Sequence, residues 1–276
     1  MEFITASGYL SARKIRSRFQ TLVQQEVDRS TYHDKVRVLA DPATAEVKLR
    51  IRDRNTVLLT PAFRVNNVWP RTAMQWPPST HQKSLHNGHQ ICGLSGQSQF
   101  HSSNAGQSQG LWPSSHLISE IKQDGFSLLS KETVYMKEKQ SAVEGDAWVM
   151  EFLEAEEKLL TGAHRKKCLS ILKTLRDRHL NNSIPVSSQV LTNLLLFECE
   201  KHPFDSDWED PSIPDRINGI LLQLITCLQN RKCPHFFLAN VDLLRGVSPS
   251  LLDLAAKQSW ALIRLLITNQ NCIDLL

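Results

Sequence analysis

The chain has 276 residues, 41% hydrophobic and 22% charged, with a net charge of +4, the composition of a globular protein with room for one large domain or two modest ones. No apolar run reaches the length of a membrane span, and Met1-Glu2-Phe3-Ile4-Thr5 has neither the basic nor the apolar region of a secretory signal. The expected setting is therefore nucleus or cytoplasm, without membrane. The modest positive charge permits an anionic ligand but does not itself indicate nucleic acid.

In chain order, Ser11 can cap a helix to about Val27, with Ile15, Phe19, Leu22, Val23 and Val27 on one stripe. In Glu46–Arg54, strict alternation puts Val47, Leu49 and Ile51 on one face and Lys48, Arg50, Arg52 and Arg54 on the other, a half-buried strand. Asp53-Arg54-Asn55-Thr56 reads as a turn, and Val57-Leu58-Leu59-Thr60 as the returning strand of an antiparallel hairpin ended by Pro61. Residues 78–111 are rich in Ser, Gln, His and Gly and read as a disordered insertion. Residues 112–145 are expected to connect the front part to a helical back part.

From Asp146 onward the pattern is helical. Trp148, Phe152, Ala155 and Leu159 repeat at helical spacing, as do Cys168, Leu172, Leu175 and His179. Ser187–Glu200 is expected to be a helix, Ser212-Ile213-Pro214-Asp215 a capping box opening the next, and Ser248-Pro249 the start of the last. No internal repeat is visible.

Basic residues cluster at Arg13–Arg18, Lys48–Arg54 and Arg165–Arg178, each of which reads first as a solvated face. The six cysteines, Cys92, Cys168, Cys199, Cys227, Cys233 and Cys272, are scattered and read as reduced thiols. Cys199 with His202, and Cys233 with His235, each offer two metal ligands where a zinc site needs four, so buried cysteine is the default. Asp205-Ser206-Asp207 reads as a solvated loop. No Walker-type loop and no Gly-x-Ser-x-Gly elbow occur, and no catalytic or metal-ligating residue is assigned.

Several strings are specific enough to carry a resemblance: Glu2-Phe3-Ile4-Thr5-Ala6-Ser7-Gly8-Tyr9-Leu10-Ser11, Val47-Lys48-Leu49-Arg50-Ile51-Arg52-Asp53-Arg54, His164-Arg165-Lys166-Lys167-Cys168-Leu169-Ser170-Ile171-Leu172-Lys173, Glu198-Cys199-Glu200-Lys201-His202-Pro203 and Arg231-Lys232-Cys233-Pro234-His235-Phe236-Phe237-Leu238. They resemble the Mab-21 family of developmental regulators, which is similar in fold to cyclic GMP-AMP synthase. The resemblance implies an α+β chain: a nucleotidyltransferase-type core followed by an all-helical domain from about 146 to 276, with nucleotide between the two. It also implies that the core, residues 1–77, is an incomplete remnant, because the family's N-terminal segment, with its Gly-Ser-like turn and first acidic pair, is expected upstream of Glu2.

The same resemblance implies further departures. Leu58 stands at the position of the third acid, and a leucine cannot bind magnesium. Val149 stands where the cyclase has an arginine, and Thr161-Gly162-Ala163 runs on where the cyclase carries a zinc-binding insertion. What remains of the nucleotide site is implied at Lys166, Ser170, Ile171, Leu172, Lys173 and Ser188, with Gln189 replacing a stacking aromatic. The expectation is a regulator without catalysis, acting through protein partners and a bound nucleotide. The alternatives are a magnesium-dependent nucleotidyltransferase acting on nucleoside triphosphates and, with less support, a nucleic-acid-binding module.

Overall fold

In the computed structural model the described residues are 2–29, 31, 34–39, 46–77, 112–130, 148–180 and 185–268. The proposed disordered insertion, 78–111, lies outside them. The chain divides into two units, Met1–Val68 with Gln123–Ala155, and Trp69–Lys122 with Glu156–Leu276.

The first unit opens with helix α1, Ala12–Arg29. Ser11 caps it, its hydroxyl accepting from the Lys14 amide at 3.1 Å. Strands β1 (Val36–Leu39), β2 (Val47–Ile51) and β3 (Asn55–Leu59) form one antiparallel sheet in that order. Val47 pairs with Leu59 and Ile51 with Asn55, so the expected hairpin is present. Its turn falls earlier than the sequence suggests. Arg52 and Asp53 both adopt positive φ, 50° and 55°, and the Arg54 amide donates to the Ile51 carbonyl at 3.1 Å. Two central residues of that conformation match the twist of the flanking strands.

The second sheet is built from distant segments. Strand β4 (Ala62–Val65) pairs antiparallel with β5 (Phe126–Leu129), and β5 with β6 (Val149–Glu151). Residues 112–130 of the expected connecting segment thus hold helix α2 (Ser115–Asp124) and the central strand of this sheet. Gly125, at φ 76°, makes the close approach possible, since a Cβ there would run into the Val65 carbonyl. The stretch beginning at Trp148 is a correction. Val149–Glu151 is strand, and the helix starts at Leu153. The Phe63 and Trp148 rings meet at 5.3 Å, and the Trp148 indole donates to the Leu10 carbonyl at 3.1 Å, contacts that helical spacing alone cannot anticipate.

The second unit is helical: α3 (Leu153–Leu159) enters it, followed by α4 (Ala163–His179), α5 (Ser188–Lys201), α6 (Ile213–Gln229) and α7 (Pro249–Thr268). Ser187 caps α5, accepting from the Val190 amide at 3.2 Å. Ser212 precedes α6 but its side chain makes no cap bond. The capping box expected there is absent: Ser212 ends the short helical turn Asp210–Ser212 with helical backbone angles, φ −90° and ψ −14°, where a capping residue is extended. The core is lined by Leu172, Leu191, Leu195, Ile220, Leu224 and Leu228, all but inaccessible to solvent. An aromatic cluster adds to it: Trp76 meets Phe237 at 5.1 Å, and Phe236 meets Phe237 at 5.1 Å and Phe197 at 5.2 Å. Among the described residues no helix is long and apolar enough to cross a membrane.

Candidate functional site

Helix α4 carries most of the residues singled out for nucleotide. Arg165, Cys168, Leu172 and Leu175 are buried along one stripe, which anchors the helix to the core. Lys166, Ser170 and Lys173 recur at steps of four and three on a different stripe, so they share a face, with the lysines about 10 Å apart along the axis. Lys166 and Ser170 are exposed and Lys173 half-buried. Ile171 is half-buried, and Leu172 sits in the core, with its side chain turned away from the lysine face.

Lys167, His164 and Arg176 of this helix are engaged. Lys167 pairs with Asp210 at 2.8 Å, and His164 approaches the same oxygen at 3.5 Å. Lys167, foremost, holds the Asp210 carboxyl below the usual carboxylate range. Arg176 donates to Asp177 at 2.7 Å and to the Ser188 hydroxyl at 2.8 Å. Ser188, at the start of α5, is therefore brought beside Arg176, while Gln189 donates to Glu156 at 2.9 Å. Lys166 and Lys173 have no hydrogen-bond or ion-pair partner among the described residues. Two uncompensated ammonium groups flanking a serine hydroxyl on one helical face can take an anionic group as mobile point charges.

Two features were not assigned from sequence. Arg165 is the first. Its side chain is only 6% exposed, and its guanidinium donates to Asp205 at 2.7 Å. The guanidinium carbon lies 5.6 Å from the centroids of both Trp112 and Trp208, a cation held between aromatic faces. Extending the stripe Cys168–Leu172–Leu175 backward by three residues lands on Arg165, and that periodicity was the available signal. The expected loop at Asp205 is a short helical turn, Asp205–Trp208, that delivers this carboxylate.

Glu198 is the second. It is 4% exposed and continues the buried stripe Leu191–Leu194–Leu195 of α5. Gln223 of α6 donates to its carboxylate at 2.5 Å, Lys201 and His202 approach at 3.4 Å, and Arg216 at 3.8 Å. Gly219 of α6 faces it, and a Cβ there would clash with the carboxylate. Beside this cluster runs a groove of about 780 Å³ between α5 and α6, lined by Phe197, Glu198, Glu200, Leu222, Cys227 and Pro234 among others. Burial pushes the Glu200 carboxyl up to about 7.

Comparison with known proteins bears on the chain as a whole. Residues 1–90 and 98–162 match the model of the Mab-21 protein nucleotidyltransferase domain, and residues 164–261 that of the Mab-21 protein HhH/H2TH-like domain. The chain belongs to the Mab-21 family. It is also 50% identical, over 278 aligned residues, to the "Protein mab-21-like" of Drosophila melanogaster, an alignment covering 99% of this chain and 67% of that relative.

One expectation is corrected by these matches. The resemblance implies a front part without the family's N-terminal segment, yet the Mab-21 nucleotidyltransferase-domain match begins at residue 1 and runs through both sheets. The helix and strands between Ala12 and Val65 are themselves material of that domain. The Mab-21 helical domain model covers α4, with Lys166 and Lys173, and extends into α7.

Proposed function

We propose that this chain is a Mab-21-type developmental regulator that uses its nucleotidyltransferase-like scaffold for binding rather than for catalysis, and that α4 takes the phosphates of a nucleoside triphosphate. The observation that carries the binding reading is the pair Lys166 and Lys173, on one face of α4 with Ser170 between them and without compensating carboxylates. Neutralising their mutual repulsion with an anion is favourable, and the ammonium groups are on stems long enough to adapt to it. Arg176, one turn beyond Lys173, holds Ser188 and supplies a fixed polar edge to the same region.

The non-catalytic part of the reading rests on Leu58. It lies in β3, is half exposed, and occupies the position that the resemblance matches to a metal-binding acid. Two-metal phosphoryl transfer needs carboxylate oxygens there, and a leucine supplies none. A second reading, a magnesium-dependent nucleotidyltransferase acting on nucleoside triphosphates, is favoured by the family description of residues 1–90 and 98–162.

One experiment separates the two. Fluorescent ATP, GTP and CTP analogues are titrated onto the purified chain and onto Lys166→Glu/Lys173→Glu, and the wild type is incubated with each triphosphate and magnesium or manganese. The expected result is saturable binding lost in the double variant, without linked dinucleotide. Binding indifferent to the two lysines would remove the proposed site, and a metal-dependent dinucleotide product would establish the second reading.

A further inference from the structure

The last turn of α6 and the segment after it bring two thiols together. Arg231 adopts φ 54°, and the Lys232 amide returns to the Cys227 carbonyl at 3.0 Å, so the chain folds back against the end of α6. The fold-back sets Cys233 beside Cys227, and the groove that Cys227 lines also runs along Pro234, the residue after Cys233. Cys233 is held from several sides. Its amide donates to the Asp242 carboxylate at 2.8 Å, its carbonyl accepts from the Leu243 amide at 2.8 Å, and the Asn193 side chain approaches its sulfur at 3.8 Å. Asn193 also grips the neighbouring backbone, donating to the Pro234 carbonyl at 2.9 Å and accepting from the Phe236 amide at 2.7 Å.

The two sulfurs differ in access. Cys233 is inaccessible to solvent, whereas Cys227 is half-buried and lines the α5/α6 groove. We propose that Cys227 and Cys233 form a reversible intramolecular disulfide, making the end of α6 a redox-sensitive modification site. A small peroxide entering the groove meets Cys227 first. The Cys227 thiolate attacks the peroxide oxygen, the O–O bond breaks, and Cys227 becomes a sulfenic acid as hydroxide leaves and is protonated to water. The Cys233 sulfur then attacks the sulfenic sulfur, the S–S bond forms and a second water departs with the Cys233 proton. The pair loses two electrons and hydrogen peroxide gains them. A small-molecule thiol reverses the step by exchange.

The electrostatics support this order of events. Interaction with the neighbouring Cys233 thiol, foremost, holds the Cys227 thiol below its ordinary range, with Lys201 adding to the effect against burial and Asp242. The same interaction, with burial, pushes Cys233 up. Cys227 is therefore the attacking sulfur and Cys233 the resolving one. The other described cysteines are poor competitors. Burial pushes Cys168 up to about 12, and Cys199, also fully buried, is likewise raised. The resulting bond would tie α6 to the segment bearing Phe236 and Phe237, which belong to the aromatic cluster.

The test uses the whole chain with hydrogen peroxide, quenched by an alkylating reagent under non-reducing conditions. Trypsin cuts after Arg216, Arg231, Lys232 and Arg245, placing Cys227 and Cys233 in separate peptides. The expected result is a linked pair, 217–231 with 233–245, lighter by two hydrogens than its parts and released by dithiothreitol. Two alkylatable thiols are lost together. The link should disappear in Cys227→Ser and in Cys233→Ser and persist in Cys272→Ser. Because the wild-type peptide map reads the bond directly, a variant that fails to fold does not decide the matter. Oxidation of Cys227 that stops at the sulfenic acid, a link to any other cysteine or to a second chain, or both thiols remaining free under peroxide that oxidises glutathione would each overturn the proposal.

Discussion

Arg165 donates to Asp205 at 2.7 Å although the two side chains live in opposite environments, the arginine 6% and the aspartate 91% exposed. The pair is one-sided. Coulomb attraction to a solvated carboxylate is weak, so the burial of Arg165 is sustained mainly by the rings of Trp112 and Trp208 on which it lies. The residue acts as a cationic spacer between aromatic faces.

This makes a stability prediction with an internal control. Arg165→Ala opens a gap between the two indoles and should cost on the order of 2–5 kcal/mol. Arg165→Met, which restores volume, should recover most of the loss, and Asp205→Asn should cost less than about 1 kcal/mol. Urea denaturation of the three variants checks the order. An Asp205→Asn penalty as large as that of Arg165→Ala would mean that the ion pair, not the aromatic sandwich, carries the interaction.

At Gly219 the usual helical rule should reverse. Glycine inside a helix ordinarily costs about 1 kcal/mol relative to alanine, so Gly→Ala is expected to stabilise. Here the new methyl meets the Glu198 carboxylate, which Gln223, Arg216 and Lys201 hold in place. Gly219→Ala should therefore destabilise by about 1–3 kcal/mol. In a Glu198→Ala background the same change should become neutral or favourable, and the double-mutant cycle measures the coupling directly.

Two buried titratable groups should give opposing pH dependences in one window. Burial pushes the Glu200 carboxyl up to about 7 from an ordinary 4.5. Its favourable contribution is complete below pH 4.5 and is lost as pH rises to about 7, because the unfolded chain releases the proton first. Burial lowers His235 to about 4 from 6.5, and its ring nitrogen accepts from the Phe237 and Leu238 amides at 3.1 and 3.3 Å. Its contribution is complete above pH 6.5 and is lost as pH falls to about 4. The two slopes oppose each other between pH 4.5 and 6.5. Glu200→Gln should expose the histidine slope, with stability falling on acidification through that range. Denaturation midpoints of the wild type and this variant across about pH 4–7 test the sign, and a wild type and variant of identical slope would contradict it.

Screening offers a check on the lysine face that does not depend on activity. Lys166 and Lys173 are seven residues apart on α4, so they face the same way and repel weakly through solvent. Triphosphate affinity should fall steeply between low and physiological salt, and the salt dependence should flatten in Lys173→Gln. Affinity unaffected by salt would show that apolar or base contacts, not phosphate, dominate.

Some of this protein was determined by sequence alone, because local periodicity is a local property. Alternation from Val47 to Ile51 specified a half-buried strand and its return, and the stripes of α4, α5 and α6 specified helices with defined inner faces. Even the burial of Arg165 and Glu198 was implicit in those stripes. Other features were decided only by tertiary structure, since they depend on which distant segments meet. Trp148 and Phe152 fit a helix by spacing, but Val149–Glu151 becomes a strand because β5 offers it a hydrogen-bonding edge. Pairing of Ala62 with Leu129 closes a long loop that no short-range pattern encodes. Cys227 and Cys233 are near in sequence, yet their meeting requires the fold-back after α6 and the grip of Asn193 and Asp242 on the following segment. Sequence sets the faces, and the closure of chain segments against one another sets which faces become neighbours.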